Sequence, residues 1–461
     1  MVKFTFLLPE IKRPHWVRNA TAAPWLAVGA VCLGAFMGQL DASIVTLAFP
    51  ALMDDFSAPL SAVQWVSLSY LVVLAVALVP VGRLSDIHGR KRLYVNGFAL
   101  FALASVICAI SPTIEVLVAA RAVQALGAAF YQANSVAIVT KVAPYKKLTV
   151  ALGIQAAAQA LGLALGPTIG GYMVEAWGWE SVFWINVPVG IIGIFTASLF
   201  VPRTRERRRK AEGDAIGTVL LGSTLVALLA VLSSISGLHM PLWLLAALLL
   251  VTVASGSGLI AREKTAEDPL IPPTLVRKKS VSWGLVTAAL GYFILFSPLV
   301  AYPPRFTQWQ VSTGSGGLYV AALPFGFALF AITANFVAMP LRVRMLTGSG
   351  LVAIGAVVAI PALPYPGWTS AALVVIGAGL GTLIPANNAA VMQSTPPLFS
   401  SAVGGMLNLG RSVGTSLGVA ATTLCLYLWG SAPAVQIMLI VAAAIAAAGS
   451  WMSTSTPPQK M

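Results

Sequence analysis

Long hydrophobic stretches alternate with short polar segments along almost the whole chain. Many of the stretches between Trp25 and Trp451 exceed the roughly 18 residues with which a helix crosses a bilayer. The roughly ten-residue alternating segments typical of a membrane β-barrel are absent from the sequence. The pattern therefore predicts an all-α polytopic membrane protein with 14 transmembrane helices. The fourteen stretches lie near residues 25–50, 61–82, 93–111, 115–140, 148–174, 182–201, 215–236, 240–260, 281–303, 315–337, 348–364, 368–392, 402–429 and 432–452.

Composition agrees with this pattern, and the charges add an orientation. The chain of 461 residues is 58% hydrophobic and 9% charged, whereas soluble proteins carry about 25% charged residues. The net charge is +14, and 25 of the 28 lysines and arginines fall at the two ends or in every second connecting segment. Because basic residues concentrate on the cytoplasmic side, we expect a multi-pass plasma-membrane protein with both termini in the cytoplasm. The net positive charge then reflects orientation in the lipid bilayer, so we expect no nucleic-acid partner. We also expect a monomer.

The two halves of the chain contain similar sequence features in equivalent places. Glycines recur at a spacing of four in the fifth stretch and again in the thirteenth, and such a stripe lets another backbone approach one face of a helix closely. The two stripes are Gly162, Gly166 and Gly170, and Gly410, Gly414 and Gly418. If the pair of stretches near 215–260 is an insertion, each stripe lies on the fifth helix of a six-helix block, and repeated blocks are typical of secondary transporters. We therefore divide the chain into a cytoplasmic N-terminal segment (1–24), an N-terminal six-helix bundle (25–201), a basic loop with two inserted helices and a cytoplasmic loop (202–280), a C-terminal six-helix bundle (281–452) and a cytoplasmic tail (453–461).

One connecting segment combines glycines, an acid and several bases. It reads GRLSDIHGRKR, residues 82–92, and is similar to the loop between the second and third helices of the major facilitator superfamily. Ile87 stands where the family usually has an arginine. The alternative is that the bases only fix the orientation in the membrane. The resemblance implies that this loop acts as a gate through Gly82, Asp86, Gly89 and Arg90.

The fifth stretch carries the most specific motif. Its residues GLALGPTIGG, 162–171, match a motif on helix five of exporters in this superfamily, and importers generally lack it. The chain therefore resembles the fourteen-helix drug:proton antiporter branch, which implies the major facilitator fold of two six-helix bundles plus two inserted helices. A proline bends a helix and glycines permit close contact, so this helix could act as a pivot; a simple packing stripe is the alternative. The motif residues are Gly162, Gly166, Pro167, Gly170 and Gly171.

A single carboxylate lies at membrane depth. Of the 14 acidic residues, Asp41 alone falls away from both ends of its stretch, where a charge is costly and often functional. The surrounding QLDASIVTLAFP resembles the first-helix motif of the antiporter branch. Arg121 matches an arginine motif on helix four to which the family assigns proton transfer, so the resemblance implies proton coupling through Asp41 and Arg121. The alternatives are a structural Asp41, an Arg121 that snorkels to the outer surface, and sodium in place of protons.

A substrate cavity is expected between the two halves. A site for varied hydrophobic molecules is apolar and aromatic with a few polar groups, so polar residues within the stretches are candidates. Each alone is more often a hydrogen bond between helices than a ligand, and Arg411 at membrane depth would suit an anion. The candidates are Gln124, Tyr131, Gln132, Asn134, Gln155, Gln159, Tyr292, Asn335, Asn387, Asn388, Asn408 and Arg411.

These features favour proton-coupled efflux of hydrophobic small molecules by alternating access. The sequence lacks the additional membrane carboxylates that some relatives use for dicationic compounds, which favours neutral, monocationic or anionic substrates. A dedicated exporter of one metabolite, such as an antibiotic or a lipid-like product, is the nearest alternative. A membrane-embedded enzyme would need clustered nucleophiles, acids or metal ligands. The sequence shows no such cluster and no nucleotide-binding loop, so we expect no enzymatic activity, cofactor or metal.

Overall fold

The computed structural model describes residues 8, 11–144, 147–203, 214–235, 240–266, 269, 277–334, 339–395, 400–429 and 432–453. Every regular element within these residues is helical, so the predicted all-α fold is confirmed. Fourteen long helices follow one another in this part of the chain: α1 (Ala23–Ile44), α2 (Trp65–His88), α3 (Arg90–Ala109), α4 (Ile114–Val142), α5 (Leu148–Trp177), α6 (Asn186–Phe200), α7 (Ala215–Ile235), α8 (Leu242–Thr265), α9 (Lys279–Ala301), α10 (Thr313–Thr333), α11 (Leu341–Ala362), α12 (Pro366–Gln393), α13 (Ser400–Trp429) and α14 (Ala432–Ser453).

The helices have the length and composition of membrane spans. Over the described residues, 13 candidate spans are long and apolar enough to cross a bilayer. The remaining long helix, α5, has 30 residues and carries the glycine motif. The chain is therefore a multi-pass membrane protein with about the predicted number of helices.

Several helix ends differ from the predicted ones, and at two of them a helix extends by six or seven residues into a basic segment. Helix α2 continues through most of the predicted loop to His88, and the chain turns at Gly89, whose φ of 101° favours glycine. Helix α11 begins at Leu341, directly after Pro340, and not near residue 348. In both cases a helix extends into a basic segment, because long basic side chains can reach the membrane surface from a helical turn.

Two groups of six helices form the two halves. In the first, α1 packs on α4 and α5, α2 packs on α4, and α3 packs on α4 and α6. In the second, α9 packs on α13 and α14, and α11 packs on α12 and α14. The halves meet where α5 packs on α10 and where α2 packs on α13. The inserted helices α7 and α8 pack on each other, and α7 also contacts α2 and α13. This is the predicted architecture of two six-helix bundles with two additional helices.

The two glycine stripes make equivalent contacts. In α5, a Cβ at Gly162 would meet the carbonyl oxygen of Phe36 on α1. In α13, a Cβ at Gly414 would meet the carbonyl oxygen of Ala289 on α9, and one at Gly418 would lie 2.7 Å from that of Phe293. The fifth helix of each half therefore packs closely against the first helix of the same half. These contacts hold α1, which carries Asp41, and α13, which carries Arg411, in place.

Candidate substrate cavity and buried ion pair

A small cavity of about 20 Å³ lies between the two halves. Helices α1, α2 and α4 form one side of it, and α9 and α13 form the other. Secondary transporters bind their substrates at such an interface between repeats. The wall is largely apolar and aromatic, with a few polar groups, as expected for hydrophobic ligands. The lining residues are Gly38, Gln39, Ala42, Tyr70, Leu71, Leu74, Gln132, Tyr292, Phe296, Arg411, Ser412 and Thr415.

Asp41 and Arg121 form a buried ion pair next to this cavity. Arg121 Nη1 donates to Asp41 Oδ2 at 2.7 Å, and neither side chain is more than 1% exposed. Arg121 Nε donates to the carbonyl oxygen of Val66 on α2 at 3.0 Å. The structure thus places Arg121 in the interior of the first half, away from the surface to which it could have snorkelled. Because the interior has a low dielectric constant, each charge depends strongly on the other.

Two amide side chains complete the surroundings of Asp41. Asn186, the first residue of α6, donates from Nδ2 to Asp41 Oδ1 at 2.8 Å. Gln124 lies one helical turn after Arg121 and donates from Nε2 to the same oxygen at 3.3 Å. Gln124 also accepts a hydrogen bond from Arg121 and donates to Ser105 on α3 at 2.7 Å. Asp41 is therefore the centre of a network that joins α1, α3, α4 and α6.

Tyr70 connects the ion pair with the cavity. Its ring forms part of the cavity wall, and Arg121 Cζ lies 4.2 Å from the centroid of that ring. A cation above an aromatic face is attracted to it, more strongly where water is excluded. A displacement of Arg121 would therefore change the contacts of Tyr70, which lines the cavity.

Arg411 reaches across the cavity from the second half to the first. Its Nη1 donates to Gln159 Oε1 on α5, and its Nη2 donates to Gln132 Oε1 on α4, each at 3.2 Å. Arg411 Cζ lies 5.6 Å from the ring centroid of Tyr292. Half-buried Arg411 is thus held by neutral oxygen atoms and an aromatic ring.

Several other candidates form hydrogen bonds within one half. Asn134 donates to Ser85 at 2.7 Å, joining α4 to α2, and Gln155 donates to Ser135 at 3.0 Å, joining α5 to α4. Asn387 donates to the carbonyl oxygen of Gly284 at 2.9 Å, joining α12 to α9.

Tyr131 lies in an aromatic cluster of the first half. Its ring stacks on Phe98 with a centroid distance of 5.0 Å. Asn388 and Asn408 are half-buried on α12 and α13. Asn335 lies outside the described residues.

The predicted gating residues lie at the turn between α2 and α3. Gly82 lies within α2 with open space around its Cα, and Gly89 makes the turn. Arg90 begins α3, and its Nη1 lies 3.4 Å from the carbonyl oxygen of Ala137 on α4. Asp86 lies in the last turns of α2, and its side chain lies outside the described part of the structure.

The second part of the α5 motif contacts the other half. A Cβ at Gly171 would lie 2.6 Å from the carbonyl oxygen of Thr313 on α10, and one at Gly317 would meet the carbonyl oxygen of Pro167. Four residues after Gly171, Glu175 Oε2 accepts a hydrogen bond of 2.8 Å from the backbone nitrogen of Gly314. A carboxylate at a helix N-terminus is stabilised by the free amides and the helix dipole. This end of the molecule is thus closed by α5 and α10.

Sequence reasoning missed several residues of this site. Tyr70, Gln39, Ser412 and Thr415 line the cavity but have no charge that would set them apart in an apolar stretch. Asn186 is an uncharged residue at the start of α6, and nothing in the sequence indicated a contact with Asp41. Among the described residues, no group of three or more His, Cys, Asp or Glu side chains could hold a metal ion.

Repeated six-helix halves around a central cavity define a membrane transporter. The sequence profile of the Major Facilitator Superfamily matches residues 31–419, and the chain belongs to this family. It is 30% identical over 432 residues to the multidrug resistance protein Stp of Mycobacterium tuberculosis, covering 88% of this chain and 76% of that protein.

Two further relatives differ in what their names say they carry. The riboflavin transporter RibZ of Clostridioides difficile is 28% identical, with 86% of this chain and 87% of that protein covered. The tetracenomycin C resistance and export protein of Streptomyces glaucescens is 30% identical, with 86% of this chain and 75% of that protein covered.

Proposed function

We propose that this transporter exports hydrophobic small molecules across the plasma membrane in exchange for protons. The observation that carries the proposal is the fully buried ion pair of Asp41 and Arg121 next to the central cavity. Intramembrane ionisable groups that face each other beside a cavity are typical of proton pathways.

Protonation of Asp41 would switch this pair. With a neutral Asp41, Arg121 loses its charge partner while it stays in the interior, and breaking a buried pair in this way costs about 3–5 kcal/mol. A conformation that gives the guanidinium water or another partner becomes favourable by comparison. Because Arg121 stacks on Tyr70 in the cavity wall, that conformation also changes the cavity, and proton and substrate binding become coupled.

The packing of the halves supports alternating access. The close contact between α5 and α10, with the Glu175–Gly314 hydrogen bond, lies at the opposite ends of the helices from the turn at Gly89. With both termini in the cytoplasm, this contact closes the outer side. The proposed cycle opens it by rocking the halves while the cytoplasmic side closes.

Export is the direction that the α5 motif and two relatives favour. The names of Stp and the tetracenomycin C protein refer to resistance, and the latter name also to export. The second candidate is a carrier dedicated to one metabolite, which the likeness to RibZ favours. In this conformation the cavity has a volume of about 20 Å³, which is room for about one water molecule, so either role requires the halves to move apart before a substrate binds.

Reconstitution in vesicles tests the proposal. Purified protein is inserted into liposomes, a proton gradient or a sodium gradient is imposed, and uptake of a panel of neutral, cationic and anionic fluorescent dyes is followed. We expect the wild-type protein to accumulate at least one dye when only the proton gradient is imposed. This accumulation should stop when a protonophore collapses the gradient. Transport of several unlike dyes indicates a multidrug exporter, and transport of one indicates a dedicated carrier.

The Asp41→Asn variant assigns the coupling. We expect it to lose proton-driven accumulation and to keep movement of dye down its own gradient, because an amide does not take up the proton. Asp54→Asn is the matched control, since Asp54 is an exposed acid in the short helix Phe49–Asp55, which follows α1 in the chain. Full proton-driven accumulation by Asp41→Asn would remove Asp41 from the mechanism, and wild-type transport that ignores the proton gradient would refute antiport.

A further inference from the structure

Arg411 is a cation in the central cavity whose hydrogen-bond partners carry no charge. Its two bonds of 3.2 Å go to the amide oxygens of Gln132 and Gln159. Within the part of the chain that the structure describes, the ion pairs join Asp41 to Arg121 and Asp214 to Arg262, and neither includes Arg411. The positive charge of Arg411 is therefore stabilised by amide dipoles, and among the described residues it has no ion-pair partner.

Aromatic and aliphatic side chains surround Arg411 in the cavity wall. Tyr292 and Phe296 line the cavity from the second half, and Tyr70 and Leu74 line it from the first. The ring centroid of Tyr292 lies 5.6 Å from Arg411 Cζ. The cavity of about 20 Å³ has room for about one water molecule, so the halves must move apart before an aromatic ligand can pack against these rings with its polar end at the guanidinium.

We propose that Arg411 makes this cavity selective for aromatic or otherwise hydrophobic monoanions, above all carboxylates. This inference deepens the proposed export function and rests on it for the identification of the cavity as the substrate site. The guanidinium has five donors in a planar fork that matches the two oxygens of a carboxylate. Such a bidentate, charge-assisted pair is stronger than hydrogen bonds to neutral amides.

Binding of an anion would also release the bridge between the halves. Arg411 lies on α13, whereas Gln132 and Gln159 lie on α4 and α5 of the other half. A carboxylate that takes both guanidinium nitrogens displaces one or both glutamine oxygens. The ligand therefore exchanges a bridge within the protein for its own contact, which is a way for substrate to loosen one conformation.

A matched pair of ligands tests the proposal without any need for transport. Binding of anthracene-9-carboxylate and of anthracene-9-carboxamide to purified protein in detergent at neutral pH is measured by calorimetry. The two probes share the ring system and differ in charge. We expect wild type to bind the carboxylate at least about tenfold more tightly than the amide, because charge-assisted hydrogen bonds exceed neutral ones.

Three variants assign the preference to Arg411. We expect Arg411→Gln to bind both probes with equal affinity, and its affinity for the carboxamide probe should stay within about twofold of wild type. Arg411→Lys should keep part of the preference for the carboxylate, because it keeps the positive charge but loses the planar fork of donors. Arg277→Gln removes the same charge at an exposed position and should keep the full preference.

The outcomes separate this proposal from the proposed export function. Wild type that fails to prefer the carboxylate overturns the anion site, even if vesicle transport of other dyes is proton-driven. Equal loss of affinity for both probes in Arg411→Gln also overturns it, since that result marks Arg411 as a bridge between the halves only. A preserved carboxylate preference with no proton-driven transport supports the site and refutes the coupling.

Discussion

At the scale of single residues, the pair of Asp41 and Arg121 is tolerable in the membrane because each charge has the other. Asp41 accepts hydrogen bonds from Arg121, Asn186 and Gln124, and Arg121 also donates to the carbonyl oxygen of Val66. A buried ion pair contributes little net stability compared with apolar residues, but removal of one partner leaves an uncompensated charge. The pair is thus costly to break and well suited to a switch.

Because removal of one partner costs much more than the intact pair contributes, substitutions at Asp41 and Arg121 should have non-additive effects on stability. We expect Asp41→Asn and Arg121→Gln to lower stability unequally, with Asp41→Asn costing about 3–5 kcal/mol because it leaves the guanidinium unpaired. The double variant should be more stable than Asp41→Asn alone, since it buries no net charge. Thermal unfolding in detergent, arranged as a double-mutant cycle, measures the coupling between the two positions. Simple addition of the two single effects would mean that the ion pair is not maintained in solution.

The same residues show how far the sequence alone could lead. A charge in an apolar stretch is conspicuous, so Asp41, Arg121 and Arg411 could be found, whereas Tyr70 and Asn186 could not, because uncharged side chains in such stretches have no distinguishing cost. Asn134, Gln155 and Asn387 illustrate the opposite problem. Successive helical residues point in directions about 100° apart, so only the packing of the helices tells which amides bond to a neighbouring helix and which can face the cavity.

At the scale of helices, the two glycine stripes found in the sequence make equivalent packing contacts in the two halves. The stripe on α5 contacts α1, and the stripe on α13 contacts α9. In each half, the fifth helix therefore packs on the first. The spacing of four predicted a close contact but not the partner. In contrast, hydropathy located the ends of α2 and α11 poorly, since helices can continue into basic segments that the membrane does not cover.

The glycine contacts predict which substitutions the fold tolerates. We expect Gly162→Ala and Gly414→Ala to lower stability by about 1–3 kcal/mol each, because the added methyl group would overlap a backbone carbonyl of the facing helix. Gly350→Ala is the control, since a Cβ there has no neighbour within 4 Å and alanine favours the helix. Unfolding temperatures of the three purified variants compare the positions. Equal stability of all three would show that the helices of each half are less closely packed than described.

At the scale of the whole molecule, the two ends of the halves differ. One end is closed by the packing of α5 on α10, and Glu175 joins it to the first turn of α10. The ion pair lies within one half, whereas Arg411 bridges both. In the proposed mechanism, proton binding and substrate binding therefore act on different parts of the molecule. A motion that opens the closed end has to separate Glu175 from Gly314.

Cross-linking at this latch provides a test of the rocking motion. With Cys32, Cys108 and Cys425 replaced by alanine, we expect the pair Glu175→Cys and Gly314→Cys to form a disulfide under mild oxidation. A Cβ at Gly314 would lie 2.6 Å from Glu175 Oε2, and the nearby Tyr172 is half exposed and can move aside. The cross-linked protein should lose transport almost completely and regain it on reduction, because the closed end can no longer open. Each single-cysteine variant serves as the control and should stay active under the same oxidation. Full transport by the cross-linked pair would show that substrate crosses without separation of α5 from α10, and would exclude the proposed alternating access.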